Sequence, residues 1–416
     1  MKYLYVIHIP VYLVNGDYLM ERAAVLDLTA HIRLLPAGVK LILAAPVLYG
    51  GHQGSLSGPL DSLDGMVKMV ELRYVNSLLQ GVKSYGHNLK QLTAAIKEAD
   101  FVHTGCGGFP YFFSPCYQAH RLAKKFHKTN LYVMDCDLVG KLEMDQVSRT
   151  TNPVKKFLWY LFAKLSWKMY TTALRTASVT FLLGQGVVSR YGKYACNPME
   201  IYQPIVGEES MIGPEEFGEK LAKVGAVQPI SICFAGRLAP EKGLDVLLRG
   251  MAEIASRISI VLNVYGDGPQ RYDSEQLASE LGIGDMVHFH GNLDWGESLF
   301  TQLRKNHIQI IPHLTLEMTR NAFDGMASGC ALVVSDTPAL QKLIVDSQAG
   351  VVFHTGDHVD LADKLVSMLV DSLELTRCME NGVSFVRENH RDTHVRRRLE
   401  FLTRCFPGVF PSVEGE

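Results

Sequence analysis

No apolar run in the 416-residue chain reaches the ~18 residues that a membrane-spanning helix needs, so the chain is not expected to cross a bilayer as a helix. Its eight cysteines (106, 116, 136, 196, 233, 330, 378 and 405) form no C-x-x-C pair and no zinc-like spacing. A disulfide scaffold and a zinc finger are therefore both unexpected, and several of these cysteines sit in apolar runs, as free thiols in a reducing, cytoplasmic protein do. G-x-G-x-x-G is missing after the first strand, which argues against dinucleotide binding. Charge is sparse, at 20% Asp, Glu, Lys and Arg with a net of −2, and no basic motif supports a nucleic-acid partner.

What charge there is divides unevenly. Residues 1–205 hold 22 basic and 13 acidic side chains, whereas the remainder holds 19 and 30. A positive first half and a negative second half point to two domains with different partners. The opening MKYLYVIHIPVYLV is broken by His8 and Pro10 and lacks a small-residue cleavage site, so it reads as a first buried strand.

Strand Tyr3–Ile9, a loop at Asn15-Gly16-Asp17, a helical pattern over Tyr18–Leu34 and a strand at Lys40–Ala45 form a β-loop-α-β opening. Gly16 either makes the turn or lets backbone approach a donor phosphate. Gly50–Gly65 reads as a long loop. Strand Phe101–Thr104, helix Cys116–Phe126 and strand Leu131–Met134 follow, so His103, Asp135 and Asp137 fall at strand carboxyl ends, where α/β sheets bind ligands. Any one of them alone is an ordinary cap or turn residue; together they are expected to line the acceptor side. Asn152–Arg175 is a helix with Lys155, Lys156, Lys164 and Lys168 set among Trp159, Tyr160, Phe162, Trp167 and Tyr170. It suits either an anionic membrane surface or a core-facing helix with a solvated basic face. Strand Val179–Leu183 and a crossover at Asn197–Val206 complete the half.

The stretch around which the second half is built is Ser231–Leu248, SICFAGRLAPEKGLDVLL. A short apolar strand runs into the turn Gly236-Arg237-Leu238, then a loop, then an amphipathic helix from Leu244. That layout puts Arg237 and Lys242 beside a helix start at a strand's carboxyl end, which suits a diphosphate or an ordinary turn with solvated charges. Strands at 259–264, 287–290, 309–311 and 331–334 alternate with helices at 274–281, 298–305 and 320–328, the βαβ series of a Rossmann-like domain.

In that order GRLAPEKGLDVLL, VYGDGPQR, VHFHGNL, IIPH, FDGMASGCALVVSDTPAL and GVVFHTGD resemble the donor domain of retaining GT-B glycosyltransferases, glycosyltransferase family 4 (glycosyl transferases group 1). The resemblance is specific over about 230–370 and one of pattern only before that. It implies an α/β GT-B fold, two Rossmann-like domains with parallel sheets facing a central cleft. The expected division is 1–206 for the acceptor-binding domain, 207–228 for a linker and 229–390 for the nucleotide-sugar donor domain. A C-terminal helix, 391–416, is expected to cross back.

On this resemblance Arg237 and Lys242 contact the donor diphosphate, and Gly236, Gly266, Gly291 and Asn292 border the nucleotide, with Arg320 adding a third positive contact. The family's acidic pair has two glutamates with seven residues between them. Asp324 stands at the second position, one methylene shorter. Leu316 stands at the first, and Glu317 takes that place only if the loop is one residue shorter. The family also sets a His or Asp at the end of its fourth or fifth strand near the transferred sugar; the resemblance implies Asp135 there by strand order, with His103 second.

The activity implied is retaining, metal-independent hexosyl transfer from a UDP- or GDP-linked sugar, with no cofactor, to a lipid-linked or polysaccharide-precursor glycan, in the cytoplasm or peripherally on the membrane's inner face. Two other readings stay open: a nucleotide-sugar-binding partner subunit without turnover, and a transferase acting on a soluble small molecule. A nucleotide-sugar epimerase on the same fold would need additional cleft carboxylates.

Overall fold

The computed structural model describes residues 1–50, 56–57, 67–108, 111–148, 150–225, 229–316 and 318–410. The chain divides into two compact units, Met1–Tyr202 together with the chain from Val395 onward, and Gln203–His394.

The first unit contains β1 (Lys2–Val6), β2 (Val11–Val14), β3 (Asp17–Glu21), α1 (Arg22–Leu34), β4 (Lys40–Tyr49), β5 (Leu56–Ser57), β6 (Val67–Arg73) and α2 (Leu78–Glu98). It continues through β7 (Phe101–Gly105), α3 (Pro115–Lys125), β8 (Thr129–Met134), α4 (Leu138–Leu142), α5 (Pro153–Thr176), β9 (Val179–Leu183), α6 (Gly184–Tyr191) and β10 (Pro198–Ile201). The strand order is β10-β9-β8-β7-β1-β4-β2-β3-β5, with β6 also on β4. The strands from β10 to β4 run parallel, as strand–helix alternation demands.

The helix expected over Tyr18–Leu34 begins only at Arg22, because Asp17–Glu21 is a strand. Asn15 (φ 55°) and Gly16 (φ 96°) form a two-residue turn with both φ values positive, joining β2 to β3 as an antiparallel hairpin. The crossover expected at Asn197–Val206 contains an edge strand instead, β10, paired parallel to β9.

The second unit contains α7 (Pro214–Ala222), β11 (Ile230–Ala235), α8 (Leu244–Ile254), β12 (Ile260–Tyr265), α9 (Arg271–Glu280), β13 (Val287–Gly291), α10 (Glu297–Leu303) and β14 (Ile308–Ile311). After these come α11 (Asn321–Ala327), β15 (Ala331–Ser335), α12 (Pro338–Ser347), β16 (Gly350–Phe353), α13 (His358–Val370) and α14 (Ser372–Glu388), and then α15 (Arg391–Cys405), which starts in this unit and ends in the first. Its six strands are all parallel in the order β13-β12-β11-β14-β15-β16. Helix α8 buries Leu244, Leu247, Leu248, Met251 and Ile254 at helical spacing against this sheet, each side chain contributing about 1.5–3 kcal/mol.

Residues 207–228, read from composition as a linker, instead carry α7. Phe217, Leu221 and Val224 recur at i, i+4 and i+7 and pack on the second unit's core. Between them Lys220 is buried, its Nζ donating to the Ser328 carbonyl at 2.8 Å. The unit boundary at the far end falls inside α15, where Arg398 meets Asp27 at 3.2 Å in the first unit.

Candidate active site

The carboxyl edge of the second sheet is laced together by its turns. The Gly236 N–H donates to the Tyr265 carbonyl at 2.9 Å, and the Gly266 N–H donates to the Gly291 carbonyl at 2.7 Å. The turns approach so closely that a Cβ on Gly266 (φ 139°) would lie 1.9 Å from the Gly236 carbonyl oxygen. Gly236, Gly266 and Gly291 are thus brought side by side, and Asn292 follows on the surface.

Arg237 projects from the turn after β11, its side chain 67% exposed and paired to Glu241 at 2.5 Å. Partial burial opposes ionisation of Glu241, but backbone hydrogen bonding and Arg237 outweigh it and hold the carboxyl below its ordinary range. Lys242 ends a tight 3-10 turn, Pro240–Lys242. The following Gly243, at φ 67°, sits so close to the β14 exit that a Cβ there would lie 2.0 Å from the Pro312 carbonyl oxygen. The Leu314 N–H donates to the Glu241 carbonyl at 3.0 Å, which fixes this loop to the segment leading toward α11. His313, buried in that segment, is held well below its usual pKa by desolvation and by Lys242, so the imidazole is neutral.

Helix α11 closes the edge. Asn321 donates its side-chain amide to the Ala235 carbonyl, tying the helix to the end of β11. Arg320 is exposed at its start. Asp324, on the first turn, is buried, and its Oδ2 accepts from Trp295 Nε1 at 3.3 Å. Its Oδ1 has no hydrogen-bond partner among the described residues. Burial pushes this carboxyl up to about 7, against the smaller opposing effects of the Trp295 hydrogen bond and Arg320. A buried carboxylate oxygen without a donor is costly unless something supplies one. Glu317, the other expected acid, lies outside the described residues.

In the first unit the expected residues separate. Asp135 stands at the β8 exit and accepts from the Cys106 thiol at 3.0 Å. Asp137 has its carboxylate committed to the fold. It caps α4 through Gly140 N at 2.9 Å, accepts from the Tyr191 hydroxyl at 2.5 Å and pairs with Arg190 at 2.9 Å. His103 lies mid-strand in β7 rather than at its end, stacked on Tyr5 at 4.0 Å and hydrogen-bonded to the Tyr3 hydroxyl at 2.7 Å. Burial holds it well below its usual pKa, as a neutral core imidazole. Gly16 serves its hairpin turn. No local signal in the sequence marks Trp295 or Asn321, each of which acts through a partner distant in the chain, whereas His313 closes the IIPH landmark.

Two α/β units, the first with a mainly parallel sheet and the second with a wholly parallel one that carries cations and a buried acid along its carboxyl edge, define a GT-B fold. Residues 218–384 match the family model "Glycosyl transferases group 1" and carry a domain of that type. Two curated relatives align over part of their length. A D-inositol 3-phosphate glycosyltransferase of Nocardia farcinica is 32% identical over 158 residues, 36% of this chain and 35% of that one. A phosphatidyl-myo-inositol mannosyltransferase of Mycobacterium leprae is 29% identical over 161 residues, 38% of this chain and 42% of that one. The match thus spans well under half of each of these relatives. Among solved structures, Anabaena HepE in complex with UDP superposes with a TM-score of 0.68 at 13% identity, over 97% of this chain and all of that one. Among the described residues no helix is long and apolar enough to cross a membrane.

Proposed function

We propose that the protein is a glycosyltransferase that moves a hexose from a nucleoside diphosphate-sugar, UDP- or GDP-linked, to a hydroxyl of a lipid-linked or polysaccharide-precursor glycan, with retention at the anomeric carbon. The observation that carries this reading is the convergence of Arg237, Lys242, Arg320 and the half-satisfied, buried Asp324 on one sheet edge. In the reaction, negative charge grows on the departing diphosphate. Arg237 and Lys242 meet that charge from a loop fixed by Gly243 and Leu314, with Arg320 as a further cation, so little reorganisation is needed. Asp324 accepts from the ribose hydroxyls through its free Oδ1, and the turns at Gly266–Pro269 and Gly291-Asn292 border the base. No cofactor is called for, because the cations do the work a metal ion would do. The activities of the relatives and the UDP held by a protein of the same fold agree with a nucleotide-sugar donor.

A lipid-linked acceptor is favoured by α5. Asn152 caps it, accepting from Val154 and Lys155 N–H at 3.0 Å each, and its second half is buried in the first unit. Its first half presents Val154, Phe157 (59% exposed), Leu158, Leu161 and Leu165 to solvent. Those positions fall on one stripe at helical spacing. Lys155 and Lys164 flank it and Lys168 ends it, the pattern of a helix lying in an anionic membrane surface on the cytoplasmic side.

Incubation with a panel of UDP- and GDP-sugars, reading release of the nucleoside diphosphate, tests the activity. One donor class should turn over, equally well with a chelator present, and Arg237→Ala should slow it by roughly a hundredfold. Equal release by the wild type and the variant would refute the assignment.

A further inference from the structure

Among the described residues one group of His, Cys, Asp and Glu side chains converges closely enough to share an ion: Cys106, Asp135 and Cys136, whose ligand atoms all lie within 4.8 Å of one another. Two neighbouring parallel strands deliver them, Cys106 just beyond β7 and the other two just beyond β8. We propose that this corner is a binding site for one thiophilic divalent cation of the zinc class. The inference does not depend on the donor site, because every ligand belongs to the first unit.

The spacing supports it. A tetrahedral zinc ion with Zn–S near 2.3 Å and Zn–O near 2.1 Å sets its sulfur ligands about 3.8 Å apart and a sulfur and an oxygen about 3.6 Å apart. Here Cys106 Sγ and Cys136 Sγ are 4.0 Å apart, and Cys106 Sγ is 3.0 Å from Asp135 Oδ1. Of these two, the second must widen, by about half an ångström, once the thiol proton that now bridges it leaves. Binding releases both thiol protons to solvent and leaves an ion held by two thiolates and a carboxylate, so the site's charge of −3 meets +2. Its frame is rigid. The Cys106 N–H donates to the Val133 carbonyl at 2.9 Å, and the Cys106 carbonyl accepts from the Tyr170 hydroxyl at 3.3 Å. Asp137, two residues along, is held in the α4 cap, so the Asp-x-Asp spacing of the sequence does not chelate and Cys136 takes its place. His8, from the β1 exit, lies over Gly107, the residue after Cys106, where a Cβ would come 1.9 Å from its ring.

The test is Co²⁺ titration of the full chain under a non-thiol reductant, followed by Zn²⁺ displacement. The wild type should bind one Co²⁺ with thiolate-to-metal charge-transfer and tetrahedral visible bands, which Zn²⁺ abolishes. Cys136→Ser and Asp135→Asn, checked for an unchanged far-UV spectrum, should each weaken binding at least about a hundredfold, beyond the 10–100-fold that a supporting residue costs. Cys196→Ser should leave the bands intact. Absence of the charge-transfer band in the wild type, or its persistence in Cys136→Ser, overturns the proposal. Because the readout is metal absorption, its failure is separate from any failure of nucleotide binding.

Discussion

Asp324 is where burial and chemistry collide. Its carboxyl is raised from 3.8 to about 7 because desolvation outweighs Trp295 and Arg320. Between those values the folded protein keeps a proton that the unfolded chain has given up. Stability therefore falls as pH rises from about 4 to about 7 and is level above that. Asp324→Asn should lose this slope, so that melting curves of wild type and variant diverge from pH 5 to pH 8, with the wild type losing more. Parallel curves would remove the raised carboxyl from the account. Gly266 belongs to the same edge. Gly266→Ala would drive a Cβ into the Gly236 carbonyl, and the turns must separate to admit it. A loss of about 3 kcal/mol in denaturant unfolding is expected, with nucleotide binding weakened in step.

Among the elements, α5 offers the sharpest contrast between fold and surface. Ala163, Ser166, Met169, Tyr170 and Leu174 hold its second half in the core, whereas Phe157 and Leu161 touch water. Phe157→Glu/Leu161→Glu should leave the melting temperature within about 1 °C, since exposed substitutions cost little, and should abolish co-sedimentation with anionic vesicles. Neutralising Lys155, Lys156, Lys164 and Lys168 should weaken the same binding and its salt dependence. Vesicle binding unchanged in both variants would leave the stripe without a membrane role. Element type was legible where a signal was local. The strands β11, β12, β14 and β15 are short apolar runs stopped by glycine, serine or proline turns. The β2–β3 hairpin carried its own mark, Asn15-Gly16 between apolar pairs, yet Tyr18-Leu19-Met20 runs straight into α1 and reads as its first turn. Helix α7 was masked by its glutamates, although Phe217, Leu221 and Val224 keep helical spacing.

At the scale of the whole molecule, what sequence could not display is what joins distant positions. Arg237 and Lys242 share one motif and were legible together. The bond from Asn321 to the Ala235 carbonyl spans 86 residues, and that from Trp295 to Asp324 spans 29. His103 and Asp137 illustrate the converse. Both stood near strand ends in the sequence, and only the packing of Tyr3, Tyr5, Tyr191 and Arg190 around them shows their side chains spent on the fold. The measurement that bears most directly on the central claim is a thermal-shift titration with UDP, GDP, ADP and TDP on the wild type and on Arg237→Ala/Lys242→Ala. A nucleotide present at a hundred times its dissociation constant stabilises by about 2.7 kcal/mol, about 5–10 °C for a unit of this size. The account predicts that shift for one nucleotide with the wild type and none with the double variant. No shift with any nucleotide, or the same shift in both proteins, would contradict a diphosphate site on the edge formed by Arg237 and Lys242.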